Sequence, residues 1–161
     1  MVSSEQFVDI IAVAAATSGI DAAIIKAVIR TESNWMPFVC RHEPNYKWLF
    51  HPENYANMLG QTVDTERTQQ STSWGFMQIM GAVAREHGFM DYMPKLLDPE
   101  NNIGYGCKHL VSLRHRFPDG WDFIAAYNAG SPVKVAGGRY ANQPYVDKVV
   151  NEYNRLKLLT T

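Results

Sequence analysis

Only two cysteines, Cys40 and Cys107, occur in the 161 residues, far apart and without a CxxC neighbour. That excludes a zinc-ribbon framework or thioredoxin-type exchange. They read as buried free thiols, with a single disulfide left open because sequence gives no Cα separation. Long apolar runs are also missing. The most apolar stretch, Phe7 to Ala16, is too short to cross a bilayer, so no membrane insertion is expected. It carries Asp9 within the run and Glu5 before it, with no Lys or Arg until Lys26, and is therefore not expected to be an export signal. An excess of one charge is absent too: 15 Lys and Arg against 16 Asp and Glu leave a net charge of −1. Such a chain has no field with which to hold nucleic acid. The 11 glycines and 8 prolines are scattered, and there is no repeat or low-complexity tract, so no segment reads as a linker or disordered tail. A single domain spanning 1–161 is expected, with 46% hydrophobic residues to fill its core.

What is present is mainly helical. Phe7, Ile10, Ile11, Val13 and Ala14 recur at helical spacing up to Gly19, a C-cap. Asp21 then caps a second helix whose stripe is Ile24, Ile25, Val28 and Ile29, and which runs to about Glu32 before the turn signalled by Asn34, Trp35 and Pro37. From Phe38 to Ser71 the helical period is lost. That segment predicts an irregular excursion with at most a short hairpin, forming one wall of a binding groove. Ser73-Trp74-Gly75 predicts the opening of a further helix through Met77, Ile79, Met80, Val83 and Ala84 to about Gly88. Asp98-Pro99 starts another by the N-cap and Pro-at-N1 rule, with Ile103, Cys107, Leu110, Val111 and Leu113 inward. A short helix follows over Trp121–Asn128, stopped by Gly130, and a last one after Pro144 carries Val146, Val149, Val150, Tyr153 and Leu156.

Glu32 is the first candidate for chemistry. It closes an apolar helix whose Val28 and Ile29 face the core, so burial and the negative helix end both disfavour its ionised form. A carboxyl held protonated near neutrality is what protonation of a glycosidic oxygen requires. On position alone, a surface Glu in a last helical turn is the more ordinary reading. The five histidines form no His-Glu-x-x-His, so neither a metal nor another cofactor is expected. Trp48, Phe50 and Tyr55 either stack on sugar rings or pack the excursion. Lys108, Arg114 and Arg116 read as a solvated helix face.

Four ordered motifs change the weight on Glu32: Glu32-Ser33-Asn34-Trp35, Ser73-Trp74-Gly75-Phe76-Met77-Gln78-Ile79, Asp98-Pro99-Glu100-Asn101-Asn102-Ile103, and Ala125-Ala126-Tyr127-Asn128-Ala129-Gly130. In this order they resemble the signatures of the soluble lytic transglycosylase family, and Tyr145-Val146 is similar to that family's closing Tyr-Val. The likeness runs from about Ile20 to Tyr153. Phe76 stands where Leu is common, and the segment between Glu32 and Ser73 is longer than in bacterial housekeeping members, looking more like bacteriophage versions.

The resemblance implies a lysozyme-like, mainly α domain with its irregular or hairpin insert between the Glu32 helix and the Ser73–Ile79 segment. It also implies cleavage of the β-1,4 bond between N-acetylmuramic acid and N-acetylglucosamine in peptidoglycan glycan strands without water, leaving 1,6-anhydromuramoyl ends. Glu32 would then be the catalytic acid and base, and Tyr127 the tyrosine that orients its carboxyl. Ser73, Met77, Gln78, Asn102, Ala126, Asn128 and Tyr145 would line or support the sugar site. From the residues alone, Ser73 could equally cap a helix, Met77 fill the core and Asn102 close a helix start. A hydrolase on this scaffold would need a second carboxylate, for which Glu43, Asp64 and Glu66 are available. A noncatalytic wall-binding or virion module would bind sacculi without dissolving them. A monomer is expected, made in a host cytoplasm and reaching the cell wall by holin release or virion delivery.

Overall fold

The computed structural model describes residues 7–159. Its elements follow the order α1 (Val8–Ser18), α2 (Ala22–Ser33), β1 (Cys40–His42), α3 (Pro52–Leu59), α4 (Val63–Gln70), β2 (Thr72–Trp74), β3 (Ile79–Met80), α5 (Gly81–Glu86), α6 (Pro99–Arg116), α7 (Asp122–Ala129) and α8 (Gln143–Leu158). The domain is thus mainly α with a small antiparallel sheet.

The helices begin and end where side chains can satisfy their free backbone groups. Asp21 accepts from the Ala23 N–H at 2.8 Å at the start of α2. Asp98 does the same for Asn101 at the start of α6, at 3.1 Å with Pro99 in the first turn. Gly19 and Gly130 close α1 and α7 in the left-handed region. Behind these caps, Ile11, Ile25, Val28, Ile29, Ile103, Leu110, Ile124 and Val149 form one buried cluster. In it α8 lies along α2, and α1 lies beside α6. Each fully buried aliphatic side chain contributes about 1.5–3 kcal/mol, which makes this cluster the frame that fixes the end of α2.

The segment between α2 and α5 departs from expectation in two places. Residues 38–71 contain two helices in place of an irregular loop. Pro52 opens α3 and Gly60 closes it in the left-handed region. Thr62 caps α4 by accepting from the Thr65 N–H at 3.1 Å. Almost wholly polar, α4 has no apolar stripe to reveal it; an ion pair anchors it. The Glu66 carboxylate is fully buried against Arg85, at 2.8 and 3.0 Å, and Gln61 and Gln70 also donate to it. Arg85 in turn donates to the Phe89 and Asp91 carbonyls and lies over the Tyr55 ring at 4.4 Å.

The second departure is the Ser73–Gln78 stretch, which is not a helix. β2 pairs with β1 through Cys40 opposite Trp74, Arg41 opposite Ser73 and His42 opposite Thr72. It pairs with β3 through Ser73 opposite Met80 and Trp74 opposite Ile79. The helix starts only at Gly81. The reason is packing on both sides of a tight turn: Phe76 and Met77 enter the main cluster, whereas Trp74 and Ile79 enter a second one with Ala84, Phe89, Met93 and Leu96. Gly75 sits at φ +66° where a Cβ would overlap the Asn102 amide and come within 2.9 Å of the Leu96 carbonyl oxygen. No other residue fits there. Cys40 is exposed on β1, Cys107 is buried in α6, and both thiols are free.

Candidate active site

Glu32 occupies the last turn of α2, one residue before the helix ends. The chain then turns sharply, with Asn34 at φ 52° and Trp35 at φ 64°. Two successive non-glycine residues in this region are strained, by about 1–3 kcal/mol each. The Trp35 ring is held edge-on to Phe76 at 6.2 Å, and Ser33 turns its hydroxyl back to the Ile29 carbonyl at 3.2 Å. These anchors leave the Glu32 side chain half-buried at the edge of the core.

Its carboxyl is met by the Tyr145 hydroxyl, which donates to Oε1 at 2.6 Å. Burial raises the Glu32 pKa; the Tyr145 hydrogen bond and the Arg41 guanidinium pull it back only in part, leaving it above the ordinary carboxylate value. Tyr145 itself is pushed up by burial and by the Glu32 charge, so its hydroxyl remains a donor. With Oε1 engaged, the carboxyl proton belongs on Oε2, the oxygen left for a ligand. Arg41 on β1 pairs with Glu43 at 2.6 Å and keeps most of its side chain in solvent.

The hydroxyl that reaches Glu32 is therefore that of Tyr145, not the expected Tyr127. The helices explain this: α8 lies along α2 and carries Tyr145 onto the end of it, while α7 faces α6 and the turn after β2. Tyr127 accordingly donates to the Met77 carbonyl at 2.8 Å. It still lies within the reach of the Glu32 charge, which, after burial, raises its pKa well above the ordinary value.

The other expected residues divide by contact. Asn102 is fully buried and fully used: it accepts from the Met77 N–H at 2.8 Å and donates to the Trp74 and Leu96 carbonyls at 2.7 and 2.8 Å. Gln78, at φ 46°, accepts from the Ser73 hydroxyl at 2.9 Å and donates to the Val39 and Gly75 carbonyls at 3.0 and 2.8 Å. Ser73 and Gln78 thus clamp the turn to the chain entering β1. The Met77 side chain is buried in the main cluster beside Gly106, which makes it core and not a groove contact. Ala126 is buried too. Asn128 is exposed and accepts from the Asn142 side chain at 3.0 Å, joining the end of α7 to the start of α8.

Of the three possible second carboxylates, Glu66 is consumed by Arg85 as described, and Asp64 is exposed on the first turn of α4. Glu43 is the one tied, through Arg41, to the surroundings of Glu32. Sequence reasoning missed Arg41, and it also missed a histidine pair: His87 Nε2 lies 3.2 Å from His109 Nδ1, and the His109 ring is 5.3 Å from that of Tyr127. Neither histidine falls in a motif, and they are 22 residues apart. Among the described residues, no group of three His, Cys, Asp or Glu side chains is gathered for a metal ion, and no helix is long and apolar enough to cross a membrane.

The model of the transglycosylase SLT domain family matches residues 9–145 of the chain. No curated protein and no solved structure matches it.

Proposed function

Since the chain belongs to the transglycosylase SLT domain family, whose members are lytic transglycosylases acting on peptidoglycan, we propose that it cleaves glycan strands between N-acetylmuramic acid and N-acetylglucosamine with Glu32 as its single acid and base. The observation that supports this best is one half-buried carboxyl, its acid form favoured by desolvation and its Oε1 held by Tyr145, with Glu66 taken up elsewhere.

In this reading Oε2 of Glu32 gives its proton to the glycosidic oxygen as the bond to C1 of the muramic acid breaks. The carbonyl oxygen of that sugar's own N-acetyl group closes on C1 and carries the developing positive charge. Glu32, now a carboxylate, takes the proton of the sugar's 6-hydroxyl. That oxygen attacks C1, the N-acetyl group is released, and a 1,6-anhydro end results. Glu32 finishes protonated and no water is consumed. Tyr145 donates to Oε1 throughout, stabilising the carboxylate stage.

We further place this activity in bacteriophage lysis or cell-wall penetration, with the enzyme reaching the wall by holin release or in a virion. The support is the length of the segment between Glu32 and Ser73, which is similar to bacteriophage versions.

The test is mass spectrometry of muropeptides released from purified sacculi, with Glu32→Gln run in parallel. Anhydro ends that disappear in the variant are expected, with residual activity below about one percent, the size of acid catalysis. Reducing ends would instead indicate hydrolysis with a second carboxylate.

A further inference from the structure

α1 is apolar on nearly every side, yet it lies at the surface. Of its 11 residues only Asp9 is charged, a composition suited to a helix that is covered all round. Only Ile11 of α1 is fully buried, however, and Val8 and Val13 are 43% and 67% exposed. Beside it α6 runs in the same direction. Asp9 and Glu100, each in the first turn of its helix, lie on one groove, and Arg114 near the end of α6 donates to the Gly19 carbonyl just past the end of α1, at 3.1 Å. The groove between the two helices has a volume of about 650 Å³. Ile10, Val13 and Ala14 form one wall and Gly104, Cys107 and Val111 the other, each set at the spacing that keeps side chains on one helix face. None of the residues around Glu32 lines it.

Two glycines of α6 differ in what they serve. At Gly106 an added Cβ would overlap the Met77 side chain, so that glycine is required by the core; at Gly104 an added Cβ would meet nothing within 4 Å. A glycine inside a helix weakens it relative to alanine, and nothing among the described residues requires this one. What Gly104 does is let a second backbone approach the floor of the groove. The charges along the groove are sorted as well. Asp9 and Glu100 stand at its start, and Lys108 about two turns further along α6. All three are exposed, and none is in an ion pair among the described residues. The surface is therefore complementary to itself: Val13 is a ridge beside the hollow over Gly104, and a second copy turned end for end brings its Lys108 against Asp9 and Glu100 of the first.

We propose that the α1–α6 groove is the interface of a two-fold homodimer, in which Val13 of each copy packs over Gly104 of the other and Lys108 of each copy faces Asp9 and Glu100 of the other. The two helix pairs form a four-helix bundle, in place of the monomer expected from the sequence. The interface covers the apolar side of α1 and is independent of the reaction at Glu32.

Sedimentation equilibrium of the full chain tests this. A species of twice the 18.2 kDa chain mass is expected, with a dissociation constant on the order of 10 μM, the strength of a small interface. Val13→Lys puts a charge into the contact and leaves only the single-chain mass, while the melting temperature of the dissociated chain stays unchanged because the side chain is so exposed. Gly104→Ala weakens the dimer about tenfold, the effect of a methyl group forced into a close-packed contact. The same substitution raises the melting temperature of the dissociated chain, because alanine is the better helix former. Lys108→Glu also breaks the dimer, and adding Asp9→Lys and Glu100→Lys to the same chain restores it. Four results would overturn the interface. They are a single-chain mass at concentrations about tenfold above the expected constant, a dimer that survives Val13→Lys, a lowered melting temperature of dissociated Gly104→Ala, and a loss in Lys108→Glu that the reversed acids do not repair.

Discussion

At the scale of single residues, the two tyrosines near Glu32 do different work, and substitution separates them. Tyr145→Phe removes a hydrogen bond that favours the carboxylate, so the Glu32 pKa rises. The acid form is the one that protonates the leaving oxygen, so the alkaline limb of the pH–rate profile moves up, while kcat falls about tenfold because the carboxyl is no longer oriented. Removing the positive charge in Arg41→Ala moves the limb the same way. Tyr127→Phe leaves that limb in place. Its effect is a loss of about 1–2 kcal/mol of stability, because the Met77 carbonyl loses its partner. A pH–rate profile of each variant beside its melting curve distinguishes the cases, and a moved limb in Tyr127→Phe would reassign the role. The sequence pointed to Glu32 through its ordered motifs, because position at the end of an apolar helix also fits a surface Glu. The choice between Tyr127 and Tyr145 was not legible there, since it depends on which helix crosses the end of α2.

Elements were legible where one physical signal dominates. Caps and apolar stripes located α1, α2, α6, α7 and α8. The segment between them hid its structure for two opposite reasons. Trp74, Phe76, Met77 and Ile79 have near-helical spacing, yet they serve two different clusters from one turn, an arrangement that Gly75 and the buried Asn102 amide make possible. α4 carries no stripe at all, because its anchor is the Glu66–Arg85 pair, whose members are 19 residues apart. The markers of α3 were present, since proline at the first turn and glycine just past the last are the usual asymmetry, but the surrounding aromatics and polar residues obscured the period. The ion pair gives a prediction that also separates the two reaction types. Glu66→Gln leaves Arg85 as an uncompensated buried cation and costs about 3–5 kcal/mol, seen as a large drop in urea midpoint, whatever the reaction. Glu43→Gln is expected to keep near-normal release of muropeptides with anhydro ends. A variant that folds normally but is inactive would make Glu43 the water-activating base of a hydrolase.

Across the whole molecule, the site and the histidine pair pull stability in opposite directions with pH. Glu32 has its pKa raised in the folded state, so the folded chain holds more protons than the unfolded one from about the ordinary value of 4.5 upward, and its contribution to stability falls as pH rises through that range. His109 is lowered to about 4 by burial and then by His87, and His87 is lowered by burial and then by Lys108, both from an ordinary 6.5. Here the unfolded chain holds the extra protons, so stability is fully present above about pH 6.5 and is lost as pH falls towards 4. Between pH 4.5 and 6.5 the two effects partly cancel in the native protein. Glu32→Gln removes one of them: it is expected to melt at or above the native temperature at pH 7, because burial penalises the Glu32 carboxylate, and to lose stability more steeply on acidification. His109→Gln removes the larger part of the other and is expected to flatten the same curve. Melting temperatures of the three proteins at intervals from pH 4 to 7.5 test this, and parallel curves would mean that the imidazole pair is hydrated enough to titrate as it does in the unfolded chain.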